Sequence, residues 1–200
     1  PQRALFLGLG TGVTAASAAE DPTLHVDAVE LLPEVIVAST LFSGSVADGA
    51  AYPRIHVRAG DARRYVRASL QSYDVIVSDN FHPARSGSGS LYTVEHFQAV
   101  RSRLAPGGVF CQWLPLHQLD SATLRSIVAA FLSAYPRGFA LIASGSLQTP
   151  VLGLVGRHDS GRFDLATVRE RLANIALPAR LLSLGLEDEL AVLGSFVAGP

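Results

Sequence analysis

Lysine and methionine are absent from this 200-residue chain, and cysteine occurs once. Without lysine no Walker A loop can be built, so a P-loop nucleotidase is excluded. Lysine Schiff bases are excluded as well, and with them pyridoxal-phosphate and lysine-aldolase chemistry. The 16 basic residues are therefore all arginines, set against 17 acids for a net charge of −1. Their one cluster, Arg63, Arg64 and Arg67, reads as the solvated face of a helix. Nucleic acid rewards a concentrated basic surface, so no nucleic-acid partner is expected. Cys111 stands alone in an apolar stretch, where it reads as a buried thiol, and no internal disulfide can form. Within these residues no apolar run is long enough to span a bilayer and no signal-peptide pattern is present. The expected location is cytoplasmic, either free or as the soluble domain of a membrane-attached protein. With no initiating methionine and a first strand starting within three residues of Pro1, further residues upstream are expected too.

What is present is a well-buried globular composition, 48% hydrophobic and 16% charged. The length suits one domain, taken here as residues 1–200. Strand-like and helix-like patterns alternate along it. Strands are expected at 4–8, 25–30, 54–58, 73–78, 109–114, 139–144 and 151–156. Helices are expected at 11–20, 33–42, 61–70, 91–104 and 121–134. Residues 79–90 form a polar, glycine-rich loop, and a turn at 145–150 makes the last two strands an antiparallel hairpin. The tail from 160 to 200 reads as helical, at 163–172 and 187–197. The fold class is therefore α/β: a Rossmann-like, mostly parallel seven-stranded sheet with helices on both faces and a C-terminal antiparallel hairpin.

Ligands of such sheets bind outside the carboxyl ends of the strands, and the polar residues gather there. The first strand ends at Gly8-Leu9-Gly10-Thr11-Gly12, and the second ends at Glu30, eighteen residues after Gly12. Bare backbone admits a nucleoside, and the acid suits a ribose diol. A dinucleotide fingerprint needs Gly or Ala at position 13, where this chain has Val13. The turn is G-x-G-x-G, typical of S-adenosylmethionine binders. The third strand tip carries Asp61, which suits a helix N-cap and, compatibly, an adenine contact. Asp79 closes the fourth strand, where a purely structural carboxylate is harder to explain. His82 reads either as a ligand or as a loop histidine without a role. Asp79, His82 and His117 lack ligand spacing along one element, so no metal is expected. No G-x-S-x-G elbow is present, which leaves a serine hydrolase unsupported.

The run Asp74-Val-Ile-Val-Ser-Asp79-Asn-Phe-His82-Pro83, then Ser90-Leu-Tyr92-Thr-Val-Glu-His-Phe97 and Leu104-Ala-Pro-Gly-Gly108, resembles the polyamine aminopropyltransferases, the spermidine synthase family. This family lies within the class I S-adenosylmethionine-dependent methyltransferase-like superfamily. Its pattern is D-x-x-D-P, L-[YF]-x-x-x-[FY], then L-x-P-G-G, and the likeness covers roughly the first 140 residues. The resemblance implies a nucleoside pocket at Gly8, Leu9, Gly10, Thr11 and Gly12. It implies Glu30 with Leu31 at the ribose, Asp61 with Ala62 at the adenine, Asn80 beside them, and Asp79 as the catalytic carboxylate. His82, Tyr92 and Gln112 fall on the amine-substrate side. The implied reaction transfers an aminopropyl group from decarboxylated S-adenosylmethionine to a polyamine. The alternatives are a methyltransferase using ordinary S-adenosylmethionine and a non-catalytic nucleoside-binding domain. Two departures bear on that choice: Thr11 stands where the family's glycine turn carries an acid, and His82 replaces the second acid of D-x-x-D-P. The resemblance also implies a homodimer, and some relatives carry membrane-spanning segments upstream.

Overall fold

The computed structural model describes residues 2–45, 49–79, 81–84, 87–143, 148–159 and 188–200, together with 166, 169 and 170. The elements are β1 (Gln2–Leu7), α1 (Val13–Ala18), β2 (Leu24–Glu30), α2 (Pro33–Ser39), β3 (Ile55–Ala59), α3 (Ala62–Ala68), β4 (Tyr73–Ser78), α4 (Val94–Arg101), β5 (Leu104–Pro115), α5 (Ser121–Ala134), β6 (Phe139–Ala143), β7 (Val151–Arg157), α6 (Glu189–Leu193) and β8 (Phe196–Ala198). The sheet order is β3-β2-β1-β4-β5-β7-β6-β8. The strands from β3 to β5 are parallel, and β7, β6 and β8 join antiparallel.

The parallel part sits between two apolar layers, and β1 shows why. Leu5 and Leu7 point into one core with Phe97, Phe110 and Phe131, while Ala4 and Phe6 point into the other with Ala15, Ala16 and Ala19. Period-two alternation thus feeds both faces with apolar side chains, the mark of a doubly covered strand. On the second face the alanines of α1 let its backbone lie close to the sheet. On the first face the aromatic rings of α4, β5 and α5 interlock, with Phe97 edge-on to Phe131 at 5.4 Å between centroids.

Among the described residues eight strands are present where seven were expected. The additional one, β8, lies in the stretch read as helix 187–197; the chain there makes one short helix, α6, and then pairs Phe196 and Ala198 with β6. Three residues are too few to show an alternation, so only the pairing reveals the strand. β5 starts five residues early, at Leu104, with a register irregularity against β4 where Gly107 takes a φ of +77°. The expected helix 91–104 divides into a 3-10 turn at Ser88–Tyr92 and α4, which Thr93 caps by accepting a hydrogen bond from the His96 N–H. The antiparallel β6–β7 pair is as expected, while residues 144–147 of its turn and most of the 163–172 helix lie outside the described residues.

Register sets the level of the strand tips. Leu7 pairs with Val29 on one side and Ser78 on the other, so Gly8, Glu30 and Asp79 emerge abreast. Glu30 pairs with Ala59, which brings Asp61 to the same rim two residues on.

Candidate active site

That rim encloses a cleft of about 470 Å³. Gly8 and Gly10, then Glu30 and Leu31, then Asp61 and Ala62, and finally Asp79 line it from four successive strand ends. Apolar walls come from Leu32, Val35, Phe81 and Leu91.

Glu30 is buried at 8% exposure and already hydrogen-bonded. Its Oε2 accepts from the N–H groups of Leu9 at 3.0 Å and Gly10 at 3.4 Å, and its Oε1 from Leu32 at 3.1 Å. A carboxylate offers about four lone-pair sites, so capacity remains for hydroxyl donors from a ligand. The acid therefore shapes the glycine turn as well as facing the cleft. Leu9 and Gly12 are outside the lining: the Leu9 N–H holds Glu30, and its side chain is buried in the α1-side core.

The glycines answer to packing as well as to any ligand. Gly8 has a φ of +94°, and a Cβ added to it would lie 2.3 Å from the tip of the Phe81 ring. A Cβ on Gly12 would lie 2.6 Å from the Tyr52 ring, and one on Gly10 would lie 3.2 Å from Asp79 Oδ2. The carboxylate of Asp79 thus faces the glycine turn directly. Thr11 is exposed beside the turn and does not line the cleft.

Asp61 is the N-cap of α3 and accepts from the N–H groups of Arg63 at 2.8 Å and Arg64 at 3.3 Å. Burial raises its pKa, but the two backbone donors and the Arg63 guanidinium outweigh it and hold the carboxyl below its ordinary value. Cap and cleft wall are the same residue. Arg63 was read as solvated together with Arg64 and Arg67; it is half-buried, 3.6 Å from Asp61, and lines the cleft, whereas the other two are exposed. Arg64, one residue on, leaves α3 in another direction, while Arg67, four residues on, shares the side of Arg63 but stands a turn further along the helix, outside the cleft lining.

His82, Tyr92 and Gln112 are outside the lining. His82 Nδ1 accepts from the Ala84 N–H at 3.1 Å, a contact within its own loop. Tyr92 is buried, donates its hydroxyl to the Phe81 carbonyl, and is pushed up in pKa by burial and by the charge of Asp79. Gln112 is fully buried and donates to the Asp79 carbonyl at 3.2 Å and the Trp113 carbonyl at 3.0 Å. Asn80 lies outside the described residues. Leu32, Val35, Phe81 and Leu91 were not anticipated as walls. A signal was present for one: two leucines directly follow the strand-tip acid, where a solvent turn is normally polar, and they stay 63% and 51% exposed.

A glycine turn after β1, an acid at the tip of β2 and an antiparallel strand beside β5 define the class I methyltransferase-like fold. Within that class, the family model for the spermine/spermidine synthase domain matches residues 1–140, and the chain belongs to this family. A spermidine synthase of Dictyostelium discoideum is 26% identical over 137 residues, covering 68% of this chain and 48% of its own. Putrescine N-methyltransferase 2 of Nicotiana tabacum is 32% identical over 212 residues, covering 98% of this chain and 59% of its own. The chain thus spans about half to three fifths of the length of these relatives. A spermidine synthase solved with the transition-state analogue AdoDATO superposes with a TM-score of 0.72 at 21% identity, over 93% of this chain and 70% of that one. Human methyltransferase-like protein 13, solved with SAH, gives 0.65 at 22% identity, over 98% and 82%.

Proposed function

We propose that this chain is the catalytic domain of an amine alkyltransferase that moves an aminopropyl group from decarboxylated S-adenosylmethionine to a polyamine. The observation that carries the reading is the single cleft in which Gly8, Gly10, Glu30, Asp61 and Asp79 meet. In it Glu30 receives the ribose hydroxyls and Asp61 with Ala62 receives the adenine edge, while Leu32, Val35 and Leu91 give the base its apolar walls. Asp79, across from Gly10, stands where the sulfonium end of the donor comes to lie. The acceptor nitrogen attacks the carbon beside the sulfonium with its lone pair. The carbon–sulfur bond breaks, its electrons stay on sulfur, and a neutral thioether leaves. An amine of pKa near 10 arrives protonated, so Asp79 accepts the proton that frees the lone pair. Holding nitrogen, carbon and sulfur in line supplies much of the rest.

A second reading, methyl transfer from ordinary S-adenosylmethionine, is favoured by Thr11 at the place of the family's acid and by the likeness to a putrescine N-methyltransferase. Calorimetry of the full-length protein with each donor separates the two. Tighter binding of the decarboxylated donor supports aminopropyl transfer, and clear preference for the carboxylated donor replaces it with methyl transfer. In either case Asp79→Asn lowers kcat by about 10²–10⁴-fold, as expected for loss of a general base. Turnover unchanged in Asp79→Asn removes that role. If the unmodified full-length protein makes no thioether product with any amine, the domain binds a nucleoside without catalysis.

A further inference from the structure

The segment bearing Asp79 is held from below by two buried side chains. The Asp79 N–H extends the β1 ladder by donating to the Leu7 carbonyl at 3.1 Å. The Phe81 N–H donates to the Asp79 carbonyl at 3.0 Å. Two carbonyls then face the interior. Gln112, paired with Ser78 in the β4–β5 ladder, donates its amide to the Asp79 carbonyl. Tyr92, at the end of the 3-10 turn before α4, donates its hydroxyl to the Phe81 carbonyl. The Gln112 amide orientation is fixed, since its nitrogen serves two carbonyl oxygens and a flipped amide would set oxygen against oxygen.

We infer that Tyr92 and Gln112 form a two-point clamp on the Phe81 and Asp79 carbonyls, positioning the Asp79 carboxylate and the Phe81 ring against the glycine turn. Neither side chain lines the cleft, so neither acts by touching substrate there. The clamp fixes both elements that approach the turn: the Asp79 carboxylate beside Gly10, and the Phe81 ring against Gly8. The catalytic consequence rests on the reading of Asp79 as the base; the clamp itself does not.

Two measurements on the full-length protein with Tyr92→Phe and Gln112→Leu keep these apart. Amide hydrogen exchange across residues 78–84 is expected to rise at least tenfold in both variants, while peptides of β1 and β2 keep wild-type protection. Exchange that stays unchanged across 78–84, or rises equally everywhere, overturns the clamp. In steady-state kinetics, each variant is expected to lose about tenfold in kcat with donor KM within twofold of wild type. In an Asp79→Asn background the same substitutions are expected to cost no further kcat. A cost equal in both backgrounds, or one falling on donor KM alone, overturns the positioning role. Raised exchange together with full turnover by Asp79→Asn leaves the clamp standing and removes the base assignment instead.

Discussion

His96 shows how one buried side chain can govern acid sensitivity. It lies on α4 at 1% exposure, and its Nε2 has no partner among the described residues. Burial, with the charges of Arg63 and Arg67 across from it on α3, pushes the imidazole down to about 4, while Asp61 pulls weakly the other way. The folded protein therefore refuses a proton that the unfolded chain accepts below about 6.5. Above that pH both states are neutral and nothing is lost. As pH falls from there toward 4 the unfolded state gains, and about 3 kcal/mol of stability disappears. Denaturant unfolding at pH 7 and pH 4 should show wild type losing that much more than His96→Leu over the same interval. Equal losses in the two proteins would mean that the imidazole takes up its proton without opening the helix. None of this is readable from the sequence, because a histidine one residue from Phe97 looks the same on a core face as on a wet one.

The turn between β1 and α1 is the element on which the site depends, and it is constrained from two directions. Its first glycine needs a left-handed φ, and the Phe81 ring leaves no room for a side chain. Gly8→Ala should cost about 1–3 kcal/mol for the backbone alone, with a steric cost added. Removing the ring separates the two: Gly8→Ala with Phe81→Ala should lose clearly less than both single losses combined, measured by denaturant unfolding. Strict additivity would show that the ring already has somewhere else to go. The spacing of Gly8, Gly10 and Gly12 was legible as a turn, and Glu30 as its acidic companion. The close approach of Phe81 and Tyr52 was not, because a contact across forty or seventy residues leaves no periodic trace. The same holds for Arg63. Helical spacing sets Arg64 apart in direction but leaves Arg63 and Arg67 on one side of α3, and only the packed structure says that Arg63, in the first turn, reaches the cleft.

At the scale of the whole molecule, strand order converts four separate sequence signals into one cavity. The apolar strands and their acidic or glycine tips were legible because parallel strands covered on both faces read as continuous hydrophobic runs. Their convergence follows from the β3-β2-β1-β4 order and the shared register at Leu7, which composition does not encode. The short β8 escaped for lack of length. A ligand confined to the folded cavity must stabilise the entire domain by mass action. The thioether nucleoside left by the proposed reaction, at about 100 times its Kd, should add roughly 2.7 kcal/mol. For a chain of this size that raises Tm by roughly 5–11 °C. A thermal scan with methylthioadenosine reads it directly, and Glu30→Gln should shrink the shift. No shift at saturating nucleoside would remove the nucleoside assignment altogether.

The three main-chain donors that grip Glu30 have a kinetic meaning. The acid needs no guest to find its orientation, so an arriving nucleoside meets a receptor whose shape is already set. Little ordering entropy is then lost at encounter. Recognition under these conditions is expressed less in how quickly the guest enters than in how long it stays.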